Sequence, residues 1–384
     1  MKTLVVDMFL AASFLAILFA VPVTQVVYEL AQGQRPQVLD VVTRSPTEEH
    51  LRAFESDLEE SSWAAQAVRP LLRQVHFTVL RDPGSKVLLG RGEWLFYKPG
   101  VDYLAEASKE KPPDDNGPDA AIAAIVEFRD QLERRGIKLL VVPVPGKASV
   151  YPDRLTHRAA RDDAPLGSPT ADVIDKLRDK GVETVDLFTV LRRFRDSADR
   201  QAYGSTYLAH DTHWSPWGVR VAAKAIADRI GQLAWVPLGD MVYQRKEVEI
   251  GRGGDIVRMM QLPDHGRFYA AEPLRCQQIV RSSDSSVYRD DPHSPVLLLG
   301  DSFSRIYQRD EPGSAGLIAQ LAYELKMPLA SIVNDGGAST LVRQQLARRP
   351  ELMKGKKLVI WQFAERDIRF GTEGWQVVPL PAVN

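Results

Sequence analysis

Asp211-Thr212-His213-Trp214 and Gly300-Asp301-Ser302-Phe303 contain the three side-chain types from which acyl-transfer machinery is built: a hydroxyl, an imidazole and a carboxylate. A serine hydroxyl is a weak nucleophile at neutral pH. It needs a base within hydrogen-bond reach and a third group to orient that base. Ser302 is the candidate nucleophile and His213 the candidate base. Asp211, two residues before the histidine, is spaced to take the proton of the other ring nitrogen, because alternate residues of an extended loop face the same side. The Ser302 amide is a candidate oxyanion donor. Asn334, Gly336 and Gly337, just past a later apolar run, could complete the hole; donors of this kind contribute about 3 kcal/mol each.

Other chemistries fit less well. His210, Asp211 and His213 are close enough in sequence to ligate a divalent ion, yet their spacing matches no familiar zinc pattern, no His-Glu-x-x-His is present and no fourth ligand is marked. No metal is assigned. Cys276 is the sole cysteine, so an internal disulfide is impossible, and no histidine motif accompanies it as a nucleophile. No cofactor is expected: no glycine-rich dinucleotide fingerprint follows a strand and no phosphate loop occurs. Trp214, Trp217 and Tyr207, with Tyr203, surround the histidine and could stack on sugar rings, although the same residues serve equally well as core. Lys147, after Pro143-Val144-Pro145-Gly146, is at another strand end and faces either the cleft or solvent.

These groups require a framework that brings strand ends together. Apolar strands are expected at Lys138–Val144, Glu183–Leu187, Val296–Leu299, Leu329–Val333 and Leu358–Phe363, alternating with helices. The helix after Ser215-Pro216 has a serine cap and a proline first residue. Ser302 itself should open a helix. The pattern predicts an α/β fold, a parallel sheet with helices on both faces, and such sheets place ligands at the carboxyl ends of their strands. Residues 233–295 break the alternation and read as an insertion of short strands and loops. Upstream, a hairpin spans Val87–Leu89 and Trp94–Tyr97, two helices span Thr47–Glu60 and Trp63–Val79, and a polar stretch runs from Lys111 to Pro118.

The chain has 384 residues, with 49 Lys and Arg against 50 Asp and Glu, a balance that argues against a nucleic-acid binder. Met8 to Val23 is apolar apart from Ser13, near the length of about 20 residues that spans a bilayer. Phe19-Ala20-Val21-Pro22 fits a cleavage site poorly, so residues 1–30 read as an uncleaved signal anchor. Residues 31–85 then form a linker and helical segment, and 86–384 the main domain. A lone cysteine agrees with export to a bacterial periplasm.

At these residues the chain resembles the alginate O-acetyltransferases of the AlgJ/AlgX type, within the SGNH-hydrolase superfamily. The matching strings are Gly92-Glu93-Trp94-Leu95-Phe96-Tyr97, Val142-Pro143-Val144-Pro145-Gly146-Lys147, Asp211-Thr212-His213-Trp214, Gly300-Asp301-Ser302-Phe303 and Trp361-Gln362-Phe363-Ala364-Glu365-Arg366. The order Asp, His, Ser fits a circularly permuted SGNH domain with a flavodoxin-like sheet. The resemblance implies periplasmic O-acetylation of an exopolysaccharide acceptor, with Ser302 as nucleophile, His213 as base and Asp211 as its orienter. It implies Arg366 as a substrate-binding candidate and a membrane-bound O-acyltransferase as partner and acetyl source. The anchor suits the membrane-tethered, AlgJ-like members, and no C-terminal carbohydrate-binding module is expected. The rival readings are an acetylesterase using the same triad and a non-catalytic scaffold of a polysaccharide-modifying complex.

Overall fold

The computed structural model describes residues 2–43, 47, 50–52, 54, 57, 61–106, 117–158, 168–263 and 265–381. The helix expected over Thr47–Glu60 lies largely outside the described residues, as does the polar stretch from Lys111 as far as residue 116. Contacts divide the chain into two compact units, Met1–Gly84 with Gln261–Asp264, and Ser85–Met260 with His265–Asn384.

In the first unit, one helix runs from Lys2 to Ala31. Its Val6–Ala31 stretch, 26 residues that include an 18-residue run of mean hydropathy 2.2, is long and apolar enough to cross a membrane. Polar side chains near its C-terminal end are tied down: Gln25 Oε1 accepts from the Trp63 amide at 2.9 Å, and Glu29 Oε2 accepts from the Gln37 amide at 3.0 Å. The segment expected as linker contains a short helix, Val38–Thr43. The following helix ends at Val75, and His76–Leu80 continues it as a π-helical turn.

The second unit opens with a hairpin, β1 (Val87–Leu89) and β2 (Leu95–Tyr97). The central sheet strands are β3 (Lys138–Val144) and β4 (Glu183–Thr184). Two long strands follow, β5 (Tyr243–Arg252) and β6 (Glu272–Arg281), and then β7 (Val296–Gly300), β8 (Ala330–Val333) and β9 (Leu358–Ala364). Five of these form one parallel sheet in the order β4–β3–β9–β7–β8. Alternate residues of each strand enter different cores, as a period of two requires. Leu140, Val142, Leu298 and Ile360 join the helices Leu187–Arg195, Pro216–Leu233 and Leu317–Leu325 on one face. Leu139, Val141, Leu299, Val359 and Trp361 join the helices Pro118–Glu133, Pro169–Asp179 and Leu341–Ala347 on the other. This is the expected α/β architecture, a parallel sheet covered on both faces.

Three local expectations need correction. The strand predicted to reach Leu187 stops at Thr184, because Asp186 caps a helix there, accepting from the amides of Phe188 and Thr189 at 2.9 and 3.2 Å. The helix opened by Ser302 is a single turn, Ser302–Arg305. Residues 243–281 hold not short strands but an antiparallel pair of ten residues each, β5 and β6, joined through Gly253, Gly254 and the helix Asp255–Met259.

Candidate active site

Four chain segments meet at the carboxyl edge of the sheet. The ends of β7, β3, β9 and β8 lead respectively into Asp301-Ser302, Gly146-Lys147, Glu365-Arg366 and Asn334. Asp211 and His213 arrive from a tight loop closed by the Tyr207–Trp214 bridge and by a bond from the Leu208 amide to the His213 carbonyl at 3.3 Å.

His213 Nε2 lies 2.8 Å from Ser302 Oγ, and His213 Nδ1 lies 2.6 Å from Asp211 Oδ1. Asp211 and His213 are buried, while Ser302 is partly open to solvent. The aromatic residue that follows His213 and the one that follows Ser302 fix this approach. Trp214 and Phe303 pack edge to face with ring centroids 5.2 Å apart, and Trp214 Nε1 donates to the Phe303 carbonyl at 3.2 Å. Burying two such rings against each other ties together loops 89 positions apart.

The turn that carries Ser302 is pinned from beneath. Asp301 Oδ1 accepts from the Phe303 amide and from Gln362 Nε2, both at 2.8 Å, and its Oδ2 accepts from the Ala364 amide at 2.9 Å. Gln362 Oε1 in turn accepts from Ser304 Oγ at 2.6 Å. Gly300 is required by close approach, since a Cβ there would sit 2.4 Å from Ser304 Oγ.

Asp211 is the most constrained group. Its Oδ2 accepts from Arg252 Nε at 2.7 Å and from the Asp255 amide at 3.1 Å. Burial alone would raise its pKa; the His213 ring and the Arg252 guanidinium override that and hold the carboxyl well below the usual carboxylate range. Asp255 also accepts from the Thr212 amide at 2.6 Å and from Thr212 Oγ1 at 2.5 Å. Glu272 accepts from the Ala209 and His210 amides at 3.1 and 2.9 Å. All three groups come from the β5–β6 segment. Sequence reading missed them, because isolated charges in an irregular stretch give no sign of their partners. Gln362 and Glu365 were legible in principle, as polar residues in an otherwise apolar strand end must have buried partners. Glu365 accepts from Ser168 Oγ at 2.5 Å, Thr170 Oγ1 at 3.0 Å and the Gly146 amide at 2.5 Å; burial pushes its pKa up, and these donors pull it back.

Asp211, His213 and Asp255 group their ligand atoms within 4.8 Å of one another, which admits a metal ion by distance. The donor set does not fit one. Asp211 Oδ2 already faces the Arg252 cation, and both imidazole nitrogens face Asp211 and Ser302. His210, weighed with these as a ligand, is not part of that group.

Several expected substrate contacts are placed differently. Trp214 and Tyr207 are core residues, 0% and 1% exposed, and Tyr207 donates its hydroxyl proton to the Pro145 carbonyl. Neither offers a ring face to a sugar. Lys147 is neither solvated nor directed into an open cleft. It is buried, donating to the carbonyls of Leu95 and Ala209 at 2.6 and 3.0 Å, and burial pulls its pKa down to about 8. Arg366 extends over the rings of Tyr97 and Phe303, 5.4 and 5.9 Å from their centroids, and lines a cavity of about 20 Å³ with Tyr97, Thr212 and Lys147. Trp217 is partly exposed and stacks on Tyr203.

Of the oxyanion candidates, the Ser302 amide has no acceptor among the described residues. Asn334 donates its own amide to the Gly300 carbonyl at 3.0 Å, which sets it beside the nucleophile turn. Gly337 is removed from the set: its amide donates to the Asn334 carbonyl at 3.1 Å, closing a local turn. Gly336 occupies the left-handed region at φ 68° in the same turn, and its carbonyl accepts from the Thr372 amide at 3.3 Å.

Residues 87–365 match the family described as the SGNH hydrolase-like domain of the acetyltransferase AlgX. Among curated relatives, a probable alginate O-acetylase AlgJ of Pseudomonas syringae pv. tomato is 32% identical over 306 residues, covering 76% of this chain and 71% of the relative. Its counterpart from Azotobacter vinelandii is 25% identical over 324 residues, covering 82% and 78%. The solved O-acetyltransferase domain of Pseudomonas putida AlgJ shares the fold, with a TM-score of 0.57 at 23% identity over 74% of this chain and 92% of that one. The chain belongs to the AlgX-type family of SGNH hydrolase-like O-acetyltransferases.

Proposed function

We propose that this protein acetylates hydroxyl groups of an exopolysaccharide at the periplasmic face of the inner membrane, with Ser302, His213 and Asp211 as its triad. The observation that carries the reading is the unbroken chain of contacts from Asp211 through His213 to Ser302, at 2.6 and 2.8 Å. Relatives named alginate O-acetylases make alginate the first acceptor to test.

The chemistry follows from the contacts. Ser302 Oγ attacks the acetyl carbonyl carbon of the donor as His213 Nε2 takes the hydroxyl proton. Asp211 accepts the hydrogen bond from Nδ1–H and stabilises the imidazolium. The Ser302 amide, and the side-chain amide of Asn334, are the donors proposed for the developing oxyanion. The donor's leaving group departs with the proton from His213, and the acetyl group remains on Ser302 as an ester. A sugar hydroxyl then gives its proton to His213 and attacks that ester. The product is an O-acetyl sugar and free Ser302.

A membrane-bound O-acyltransferase is the proposed acetyl source, and the Lys2–Ala31 helix the proposed anchor that holds the protein beside it. The test is complementation of a deletion strain with wild type or Ser302→Ala. Acetyl esters on the secreted polymer should return only with wild type, and the purified variant should lose about 10⁴-fold or more in kcat on a soluble acetyl ester. Restoration by Ser302→Ala would leave only the scaffold reading. Release of acetate with no ester on sugar, from a protein given both ester and polysaccharide, would make it an esterase.

A further inference from the structure

A second cavity, of about 550 Å³, lies on the β5–β6 side of the triad loop. Its size falls in the range of about 300–1,000 Å³ usual for small-molecule sites. We infer that it is a second glycan subsite, holding sugar units of the acceptor chain beyond the one that reacts. This rests on the transferase reading above.

A flat aromatic platform forms its floor. Tyr203 stacks on Trp217 with ring centroids 3.9 Å apart and planes within 8°, and Phe194 braces Trp217 edge-on at 6.1 Å. Tyr203 is 54% exposed, which leaves its outer face open. A large exposed ring held rigid in this way is a surface for the apolar face of a sugar. Around it stand planar polar groups of the kind that pair with sugar hydroxyls. Gln277 and Glu247 face each other across β5 and β6, joined by a bond from Gln277 Nε2 at 3.2 Å. Arg220 packs its guanidinium 4.6 Å from the Trp217 ring centroid. Its Nε is buried without an acceptor, and it makes no ion pair among the described residues. Arg220 lines the cavity, and its terminal guanidinium nitrogens carry no hydrogen bond among the described residues, so they are the donors left for a ligand oxygen. A carboxylate on the sugar would suit them best.

The cavity adjoins the reaction centre through its wall. Tyr207 to Ala209 and Ser215 to Trp217, the segments on either side of Asp211 and His213, both line it. Glu272, also in the wall, is the residue that fastens the Ala209 and His210 amides. A polymer seated here runs beside the loop that carries the base. The contribution of such a subsite is confined to acceptors long enough to reach it.

The test compares hexuronate dimers and hexamers as acceptors for the full chain, with a small acetyl ester as donor, in wild type, Tyr203→Ala and Arg220→Gln. Wild type should show a KM about tenfold lower for the hexamer than for the dimer. Either substitution should erase most of that advantage, as losing the charge-assisted contact of Arg220 or the stacking face of Tyr203 costs about tenfold. Tyr203 is exposed, so its variant is expected to fold, with a melting curve as the control. A length advantage that survives both substitutions overturns the subsite. If wild type acetylates no sugar, the transferase reading fails on its own. The cavity is then judged by titrating the hexamer into Ser302→Ala, with and without Arg220→Gln. Binding weakened about tenfold by the second substitution supports the subsite, and unchanged or absent binding removes it.

Discussion

Arg252 and the Asp255 amide hold the oxygen of Asp211 that does not face His213. The aspartate shares its two oxygens between them: Oδ1 serves the imidazole, and Oδ2 serves the guanidinium and the Asp255 amide. A carboxylate held at both oxygens cannot rotate away from the ring. Arg252 is thus a positioning residue, and its removal leaves a buried carboxylate with one partner fewer. Arg252→Gln should lower kcat on a small ester by about 10- to 100-fold, the cost of a slightly misplaced catalytic group, with KM within about twofold. Arg252→Lys should recover part of the loss. A variant that raises KM alone would show that Arg252 touches substrate instead. Gly254 is the backbone counterpart: it sits at φ 72°, and a Cβ there would lie 2.2 Å from the His210 carbonyl oxygen. Gly254→Ala should push the loop carrying the base and cost activity before it costs folding, as comparing kcat with the melting midpoint would show.

Between the elements, a chain of alternating charges ties the β5–β6 segment to the nucleophile turn. Asp211 pairs with Arg252, Arg252 approaches Asp310 at 3.6 Å, Asp310 pairs with Arg305 at the end of the Ser302 helix, and Arg305 pairs with Asp335 at 2.8 Å. Networks of this kind orient the elements they join more than isolated surface pairs do. The hydrogen bonds beneath Ser302 are stronger anchors because they are buried. Asp301→Ala removes three of them at once and leaves the Ala364 amide without its acceptor. It should destabilise the fold by about 2–4 kcal/mol in urea titration. It should also reduce turnover under conditions where the variant is still folded. If turnover were unchanged in the folded variant, Asp301 would hold only the fold and not the nucleophile.

On the scale of the whole molecule, two buried charges set opposing responses to pH. Burial pushes the Asp367 carboxyl up to about 7, with Arg366 pulling it down and Asp301 pushing it further up. The folded protein therefore keeps a proton that the unfolded chain releases near pH 4, and this contribution to stability is lost as pH rises from about 4 to 7. Asp367→Asn should flatten that slope, by on the order of a few kcal/mol across the window, in denaturation curves compared with wild type. Lys147, drawn down to about 8 by burial, has the reverse effect above that pH: it loses its proton before the unfolded chain does, so stability from this group increases towards pH 10.5. The sequence by itself determined the sheet, its covering helices and the three residues proposed as the triad, because apolar periodicity, caps such as Ser215-Pro216 and short turn strings are local signals. Only the tertiary structure decided which aromatics are core and which face a cavity. Trp214 is buried by Phe303, a residue far along the chain, whereas Trp217 one turn later reaches the surface beside Tyr203. Only it, too, brought Arg252, Asp255 and Glu272 to the loop that holds His213. A charge carries no mark of the partner it will find, and that partner is chosen when distant segments pack and water is excluded between them.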